Sequence, residues 1–169
     1  MINGNPDNDT QVISTLVENK PGVLQKVSSL FTRRGFNIES ITVGASEVES
    51  YARMVIIVKG DQKIIEQITK QLNKLIDVVK VKELNPKITL ERELCLVKVK
   101  INNEKAKSEI IQYVSIFKAK IIDISENNIT IEITGSPDKI NGLLSLLKVF
   151  GIRKICRTGP TAIERDFII

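Results

Sequence analysis

The stretch Gln11-Val12-Ile13-Ser14-Thr15-Leu16-Val17, broken by Glu18-Asn19-Lys20-Pro21-Gly22 and continued by Val23-Leu24-Gln25-Lys26-Val27-Ser28-Ser29-Leu30-Phe31-Thr32-Arg33-Arg34-Gly35, decides the fold. Its first part is rich in β-branched residues with partial alternation and reads as a strand. In the last part Val23, Leu24, Val27, Leu30 and Phe31 recur at helical spacing and make one apolar stripe. Between them, Pro21 suits the first helical position, where its missing N–H costs nothing. Arg33, Arg34 and Gly35 end the helix, with cations in the last turn and a glycine just beyond it.

Working outward, residues 36–43 and 51–59 read as strands joined by the turn-like run 44–50. Gly60-Asp61 opens a second helix, with Asp61 as its cap and Ile64, Ile65, Ile68, Leu72 and Leu75 as its stripe. Residues 76–84 form a further strand, Val79 and Val81 facing one way and Val78 and Lys80 the other. The order strand, helix, strand, strand, helix, strand is the ferredoxin-like split βαβ: an antiparallel four-stranded sheet with both helices on one face.

Asn85-Pro86-Lys87 marks a boundary, and the order then repeats. Cys95, Val97, Val99 and Ile101 alternate along a strand over 93–102; Ala106, Ile110, Ile111, Val114 and Phe117 point inward from a helix over 104–118. Strands over 121–125 and 129–134 enclose the turn Glu126-Asn127-Asn128. Ser136 and Pro137 cap a helix carrying Ile140, Leu143, Leu144, Leu147 and Phe150, and 152–157 closes the module. The expected fold is α+β, two tandem ferredoxin-like βαββαβ modules. Residues 1–10 form a disordered start, 11–85 the first module, and 86–169 the second with an irregular tail from Thr158.

The 169 residues are 42% hydrophobic and 27% charged, ordinary for a globular protein, and contain no histidine. That absence excludes Ser-His and Cys-His nucleophile pairs, HExxH helices and Cys2His2 zinc sites. The net charge of +5 invites a nucleic-acid reading. Residues 1–85 hold 11 Lys+Arg against 10 Asp+Glu and residues 86–169 hold 14 against 10, so the excess is a scatter of lysines in the second half, not a phosphate-tracking run. Cys95 and Cys156 are too few and too far apart for a disulfide framework and are expected as buried, reduced thiols. No apolar run approaches the roughly 18 residues of a membrane span. The polar, acidic start resembles neither a secretory signal nor a transit peptide, and a reducing, cytoplasm-like compartment is expected.

Catalytic constellations are lacking. Glu47 and Glu49 are paired carboxylates in a turn and read most simply as a solvated loop; there is no GxxxxGK[ST] loop and no GxGxxG fingerprint. Asn19-Lys20-Pro21-Gly22-Val23-Leu24 carries more information, because it delivers a strand to a helix N-terminus. Free amides and the positive end of the helix dipole there favour a carboxylate. Gly22 lets a small ligand approach the backbone, and Asn19 can both donate and accept. On these residues alone, an amino-acid site and a helix start that binds nothing both remain open.

Val17-Glu18-Asn19-Lys20-Pro21-Gly22-Val23-Leu24 followed by Arg33-Arg34-Gly35-Phe36-Asn37-Ile38-Glu39-Ser40-Ile41-Thr42-Val43-Gly44 resembles the small, regulatory subunit of acetolactate synthase. The likeness continues through Ser50-Tyr51-Ala52-Arg53-Met54, Gln71-Leu72-Asn73-Lys74-Leu75-Ile76-Asp77-Val78, Glu91-Arg92-Glu93-Leu94-Cys95-Leu96-Val97-Lys98-Val99 and Arg157-Thr158-Gly159. The resemblance implies that the first module is an ACT domain, pairing side by side with a second copy in a homodimer to bind an amino acid at the interface. It implies valine as effector, with leucine or isoleucine as close substitutes, and no intrinsic active site. The partner would be a large catalytic subunit that alone holds thiamine diphosphate, Mg and FAD. Asn19 and Gly22 match the family's ligand loop, with Pro21, Val23 and Leu24 beside them. Asn37, Ile38 and Thr42 come from the second strand, and Gly44 stands where the family often has a small residue. The implied workplace is the bacterial cytoplasm, or the plastid stroma for a plastid-encoded chain. The rival readings are a free-standing ACT sensor for another enzyme and an RNA-binding module of the same strand order, which would need aromatics exposed on its central strands.

Overall fold

The computed structural model describes residues 10–166. Of the expected disordered start over 1–10, only Thr10 lies within the described residues, and it already opens the first strand.

The first unit runs β1 (Thr10–Glu18), α1 (Val23–Arg34), β2 (Ile38–Ala45), β3 (Tyr51–Lys59), α2 (Gln62–Leu72) and β4 (Val78–Glu83). Its sheet is antiparallel in the order β2-β3-β1-β4. Both helices pack on one face. Ile13 and Val17 of β1 and Met54, Ile56 and Val58 of β3 meet Val27, Leu30 and Phe31 of α1 and Ile65, Ile68 and Leu72 of α2. Each such aliphatic side chain withdrawn from water contributes about 1.5–3 kcal/mol. The alternate residues Val12, Val55 and Ile57 point to the other face, where they are also buried, with Leu84 and Ala162. This two-sided burial explains why Val55-Ile56-Ile57-Val58 is apolar without interruption.

Asp61 caps α2 as expected, its side chain accepting from the Ile64 N–H at 2.9 Å. Pro21 does not take the first helical position. Gly22 is the N-cap of α1 at φ 87°, and Val23 is the first helical residue. The left-handed turn at Gly22 places the proline outside the helix. Strand β4 also departs from simple alternation. Thr15 pairs with Val81, Leu16 with Lys80 and Val17 with Val78, so Val79 has no partner in the register. This bulge turns both Val78 and Val81 toward the core and leaves Val79 56% exposed.

The second unit takes β5 (Thr89–Lys100) from Glu91 onward, then α3 (Glu104–Ile116), β6 (Lys120–Ile124), β7 (Asn128–Gly135), α4 (Pro137–Leu147) with a 3-10 turn (Lys148–Phe150), and β8 (Ile152–Arg157). Its strand order, β6-β7-β5-β8, repeats the first. Cys95, Val97, Val99 and Ile101 meet Ala106, Ile110 and Val114 of α3 and Ile140, Leu143, Leu144 and Leu147 of α4. Ser136 caps α4, with Pro137 in the first turn. Ile111, expected inward, flanks the stripe and is 43% exposed.

Two further expectations are corrected. Cys95 is buried, but Cys156 pairs opposite Leu96, on the face of the strand turned away from the helices, and is exposed. The segment past Gly159 is not an irregular part of the second module. It forms β9 (Thr161–Glu164), which from Ala162 belongs to the first unit, whose main stretch ends at Leu90 and not at residue 85. The cause is apolar: Ala162 covers Val12, Val55, Ile57 and Leu84. Glu164 adds an ion pair to Lys82 and accepts from the Asn85 N–H at 3.0 Å, and the Arg165 N–H donates to the Ile88 carbonyl at 3.0 Å.

Candidate functional site

The loop between β1 and α1 is held from both sides. The Glu18 N–H donates to the Asp77 carbonyl at 2.9 Å and the Asn19 N–H to the Ser50 carbonyl at 2.8 Å. At Gly22 the chain turns left-handed, a conformation that costs an L side chain roughly 1–2 kcal/mol. A Cβ built on Gly22 meets nothing within 4 Å, so the space beside it is open. The N-cap glycine supplies no side chain to the helix amides, and the first turn of α1 contains no acidic residue. The positive end of this helix is therefore left for another anion.

Asn19, Pro21, Gly22 and Leu24 lie together and are exposed, Leu24 at 48% although the periodicity assigned it to the core stripe. Val23 is 3% exposed and packs in the core, so its side chain is not part of this surface; only its backbone is.

The remaining predicted residues are elsewhere in the same chain. Ile38 pairs with Val58, which pairs with Gln11; Ala45 pairs with Ala52, which pairs with Val17. Asn37 and Ile38 are thus at the end of the sheet opposite the loop that joins β1 to α1, about 20 Å along the strand from Gly44 at 3.3 Å per residue. The Asn37 side chain donates to Glu39 at 2.8 Å, and Ile38 packs against the core. Thr42 pairs with Val55 and Gly44 with Arg53, so both lie on the face away from the helices. Within one chain, Asn37 and Ile38 do not meet Asn19 to Leu24.

A buried carboxylate that the sequence reading passed over anchors the loop. Asp77, just before β4, is 1% exposed. It meets the Lys20 ammonium at 2.7 Å and the Lys26 ammonium at 2.5 Å, and Lys20 also pairs with Glu18. The hydrogen bond from Lys20, then that from Lys26, holds the Asp77 carboxyl below its usual range; Asp77, then Glu18, holds Lys20 above the ordinary lysine range. In sequence Asp77 looks like any polar residue between two apolar ones, and only its burial distinguishes it.

Elsewhere, Glu47 accepts from Arg53 at 2.6 Å, and that bond holds its carboxyl below the usual carboxylate range. Glu93, 3% exposed, accepts from Arg157 Nε and Nη2 at 2.6 Å each, and Arg157 Nη1 donates to Asn141 at 2.9 Å. The helix-free face of the first sheet carries Val12, Ser14, Leu16, Tyr51, Arg53, Val55 and Ile57 on its central strands, with Tyr51 as the single aromatic among them, and Ala162 covers its apolar part. That surface offers no row of aromatics for stacking bases. Among the described residues no cluster of His, Cys, Asp and Glu could hold a metal ion, and no helix is long and apolar enough to cross a membrane.

Comparison with known proteins identifies the family. Residues 13–80 match the model of the AHAS small subunit-like ACT domain, and residues 92–166 match the small subunit of acetolactate synthase. The chain is 59% identical over 157 residues to a probable acetolactate synthase small subunit of Methanothermobacter thermautotrophicus, covering 93% of this chain and 94% of the relative. It is 47% identical to the acetolactate synthase small subunit of Mycolicibacterium smegmatis, covering 98% and 95%. The crystal structure of the small subunit from Thermotoga maritima superposes with a TM-score of 0.87 at 48% identity, covering 94% of this chain and 99% of that one. With an ACT-type first unit, a second unit of its own model and near full-length coverage on both sides, the chain belongs to the acetolactate synthase small-subunit family.

Proposed function

We propose that this chain activates a separate thiamine-diphosphate-dependent catalytic subunit of acetolactate synthase and makes it sensitive to feedback inhibition by valine. It contributes no catalytic group itself; thiamine diphosphate, Mg and FAD belong to the catalytic partner. Valine's carboxylate sits on the amides from Gly22 to Leu24, its ammonium on Asn19 or Asn37, and its isopropyl group against Leu24 and Ile38. The Val23 side chain, buried in the core, drops out of the contacts expected from sequence.

One observation carries the reading: the matched residues are divided between opposite ends of one chain's sheet, and β2 is an edge strand. Antiparallel pairing of two β2 edges about a two-fold axis near Ile41 sets Asn37 and Ile38 of a second copy beside the Gly44 end of this one. Such an interface is isologous and satisfies the free backbone groups of both edges. A ligand bridging two copies favours the arrangement that holds it, and coupling of this kind is usually worth about 1–3 kcal/mol. A reducing, cytoplasmic setting fits a biosynthetic subunit of this kind.

The test is pyruvate condensation by the catalytic subunit with and without this chain, with valine titrated in. Stimulation by the chain, and valine inhibition only in its presence, is the expected result. A catalytic subunit equally active and equally valine-sensitive alone would refute the proposal.

A further inference from the structure

We infer that Asp77 is a positioning residue for the effector, holding the loop that carries Asn19 and Gly22 at the spacing an amino acid requires. The inference rests on the effector reading above. Three contacts carry it. The Asp77 carboxylate meets Lys20, two residues before Gly22, and Lys26, in the first part of α1; its carbonyl accepts from the Glu18 N–H at 2.9 Å. The Lys26 N–H in turn donates to the Gly22 carbonyl at 3.0 Å. One buried group thus fixes the chain on both sides of the left-handed turn.

The charge balance matters as much as the tether. A lone carboxylate near the start of α1 would compete with an incoming carboxylate for the same positive helix end. With two ammonium groups on it, Asp77 is offset, and Glu18 balances the extra cation. The lysines are about half exposed, at 48% and 51% of their side chains, so nothing except Asp77 and Glu18 orders their heads among the contacts described. Without the Asp77 carboxylate, Lys20 keeps only its pair with Glu18 and the loop only its backbone bonds, so the Asn19–Gly22 geometry is held less tightly.

The experiment compares wild type with Asp77→Asn, Asp77→Glu, and the double variant Lys20→Gln/Lys26→Gln in the reconstituted holoenzyme. The readouts are the half-inhibitory valine concentration, stimulation without valine, and amide hydrogen exchange over residues 18–24 of the full chain. Asp77→Asn is expected to raise the half-inhibitory valine concentration about tenfold, on the scale by which coupling residues act, and to speed exchange in the loop. Stimulation should stay within about twofold. Asp77→Glu should recover part of the valine response. Should Asp77→Asn fail to fold, the double variant should shift the valine response in the same direction and at least as far, because it loosens the loop and also leaves the Asp77 carboxylate without its two cations. Combined with Asp77→Asn it should add nothing, because the three groups act as one unit.

Unchanged valine response and unchanged loop exchange in Asp77→Asn and in the lysine double would overturn the inference, as would strictly additive effects. If wild type itself is not inhibited by valine, the effector reading fails. Loop exchange then decides the anchoring role separately, and protection unaltered by Asp77→Asn refutes it.

Discussion

Gly22→Asp, set beside Gly22→Asn, separates charge from backbone at the proposed effector site. The left-handed φ of 87° penalises both replacements by roughly 1–2 kcal/mol of fold stability, at the lower end because Asn and Asp tolerate this region best. No steric term follows, since a Cβ at Gly22 meets nothing within 4 Å. The two variants therefore differ only in the carboxylate that Asp places where valine's own carboxylate would sit. Two unit charges about 4 Å apart repel by about 1 kcal/mol in water and about 4 kcal/mol at the effective dielectric of a protein surface. At 1.4 kcal/mol per decade, that weakens valine binding between about fivefold and several hundredfold. The assay is valine inhibition of the reconstituted holoenzyme, with stimulation measured in parallel and the melting temperature of each variant as control. Gly22→Asn should stay close to wild type in its valine response, and Gly22→Asp should lose inhibition while still stimulating. Equal valine sensitivity in Gly22→Asp and wild type would place the effector elsewhere. Equal loss in both variants would mean that backbone conformation, not charge, governs the site.

Arg157→Met strands the buried Glu93 carboxylate and should cost about 3 kcal/mol in chemical denaturation, the low end for a broken buried pair because Arg157 is 34% exposed. Glu93→Gln, which keeps a neutral acceptor for Arg157, should cost less. Ala162→Asp puts a charge against Val12, Val55, Ile57 and Leu84 and should destabilise the first unit by about 2 kcal/mol or more while increasing binding of an apolar dye. Cys156 should be alkylated rapidly in the native protein and Cys95, buried and with its thiol pushed up by burial, only on unfolding; mass spectrometry after timed iodoacetamide treatment checks this. The folded Asp77 carboxyl lies below its unfolded value near 3.8, so its contribution to stability is complete above that pH and lost as pH falls through the lower folded value. Asp77→Asn should therefore flatten the acid limb of loop protection measured by hydrogen exchange.

Local rules settled much of this molecule. Helical spacing in Val23 to Phe31 and Ile64 to Leu72, alternation from Cys95 to Ile101, and the caps at Asp61 and Ser136 depend on residues within one or two turns of each other. They are legible wherever the chain is read, and so is the repeat of the element order. The loop before α1 was legible for the same reason: Pro21-Gly22 between a strand and an amphipathic stripe marks a helix start whatever the rest of the protein does.

What distant contacts decide was not legible. Val79 looks like any core valine until the register of β1 against β4 makes it the bulged residue. Cys156 has the neighbours of a buried thiol but falls on the outward side of its strand. Gly22, not Pro21, caps α1, because the left-handed turn fits the loop into bonds to Ser50 and Asp77. Residues 162–164 read as part of an irregular tail, and only a patch of valine, isoleucine and leucine about 80 or more residues earlier makes them a strand of the first unit. Asn37 stands 18 positions from Asn19 in sequence, yet the hairpin puts it at the other end of the sheet, so within one chain the two do not meet. In each case the deciding energy comes from a pairing or burial between segments far apart in the chain, and no window of sequence contains both partners.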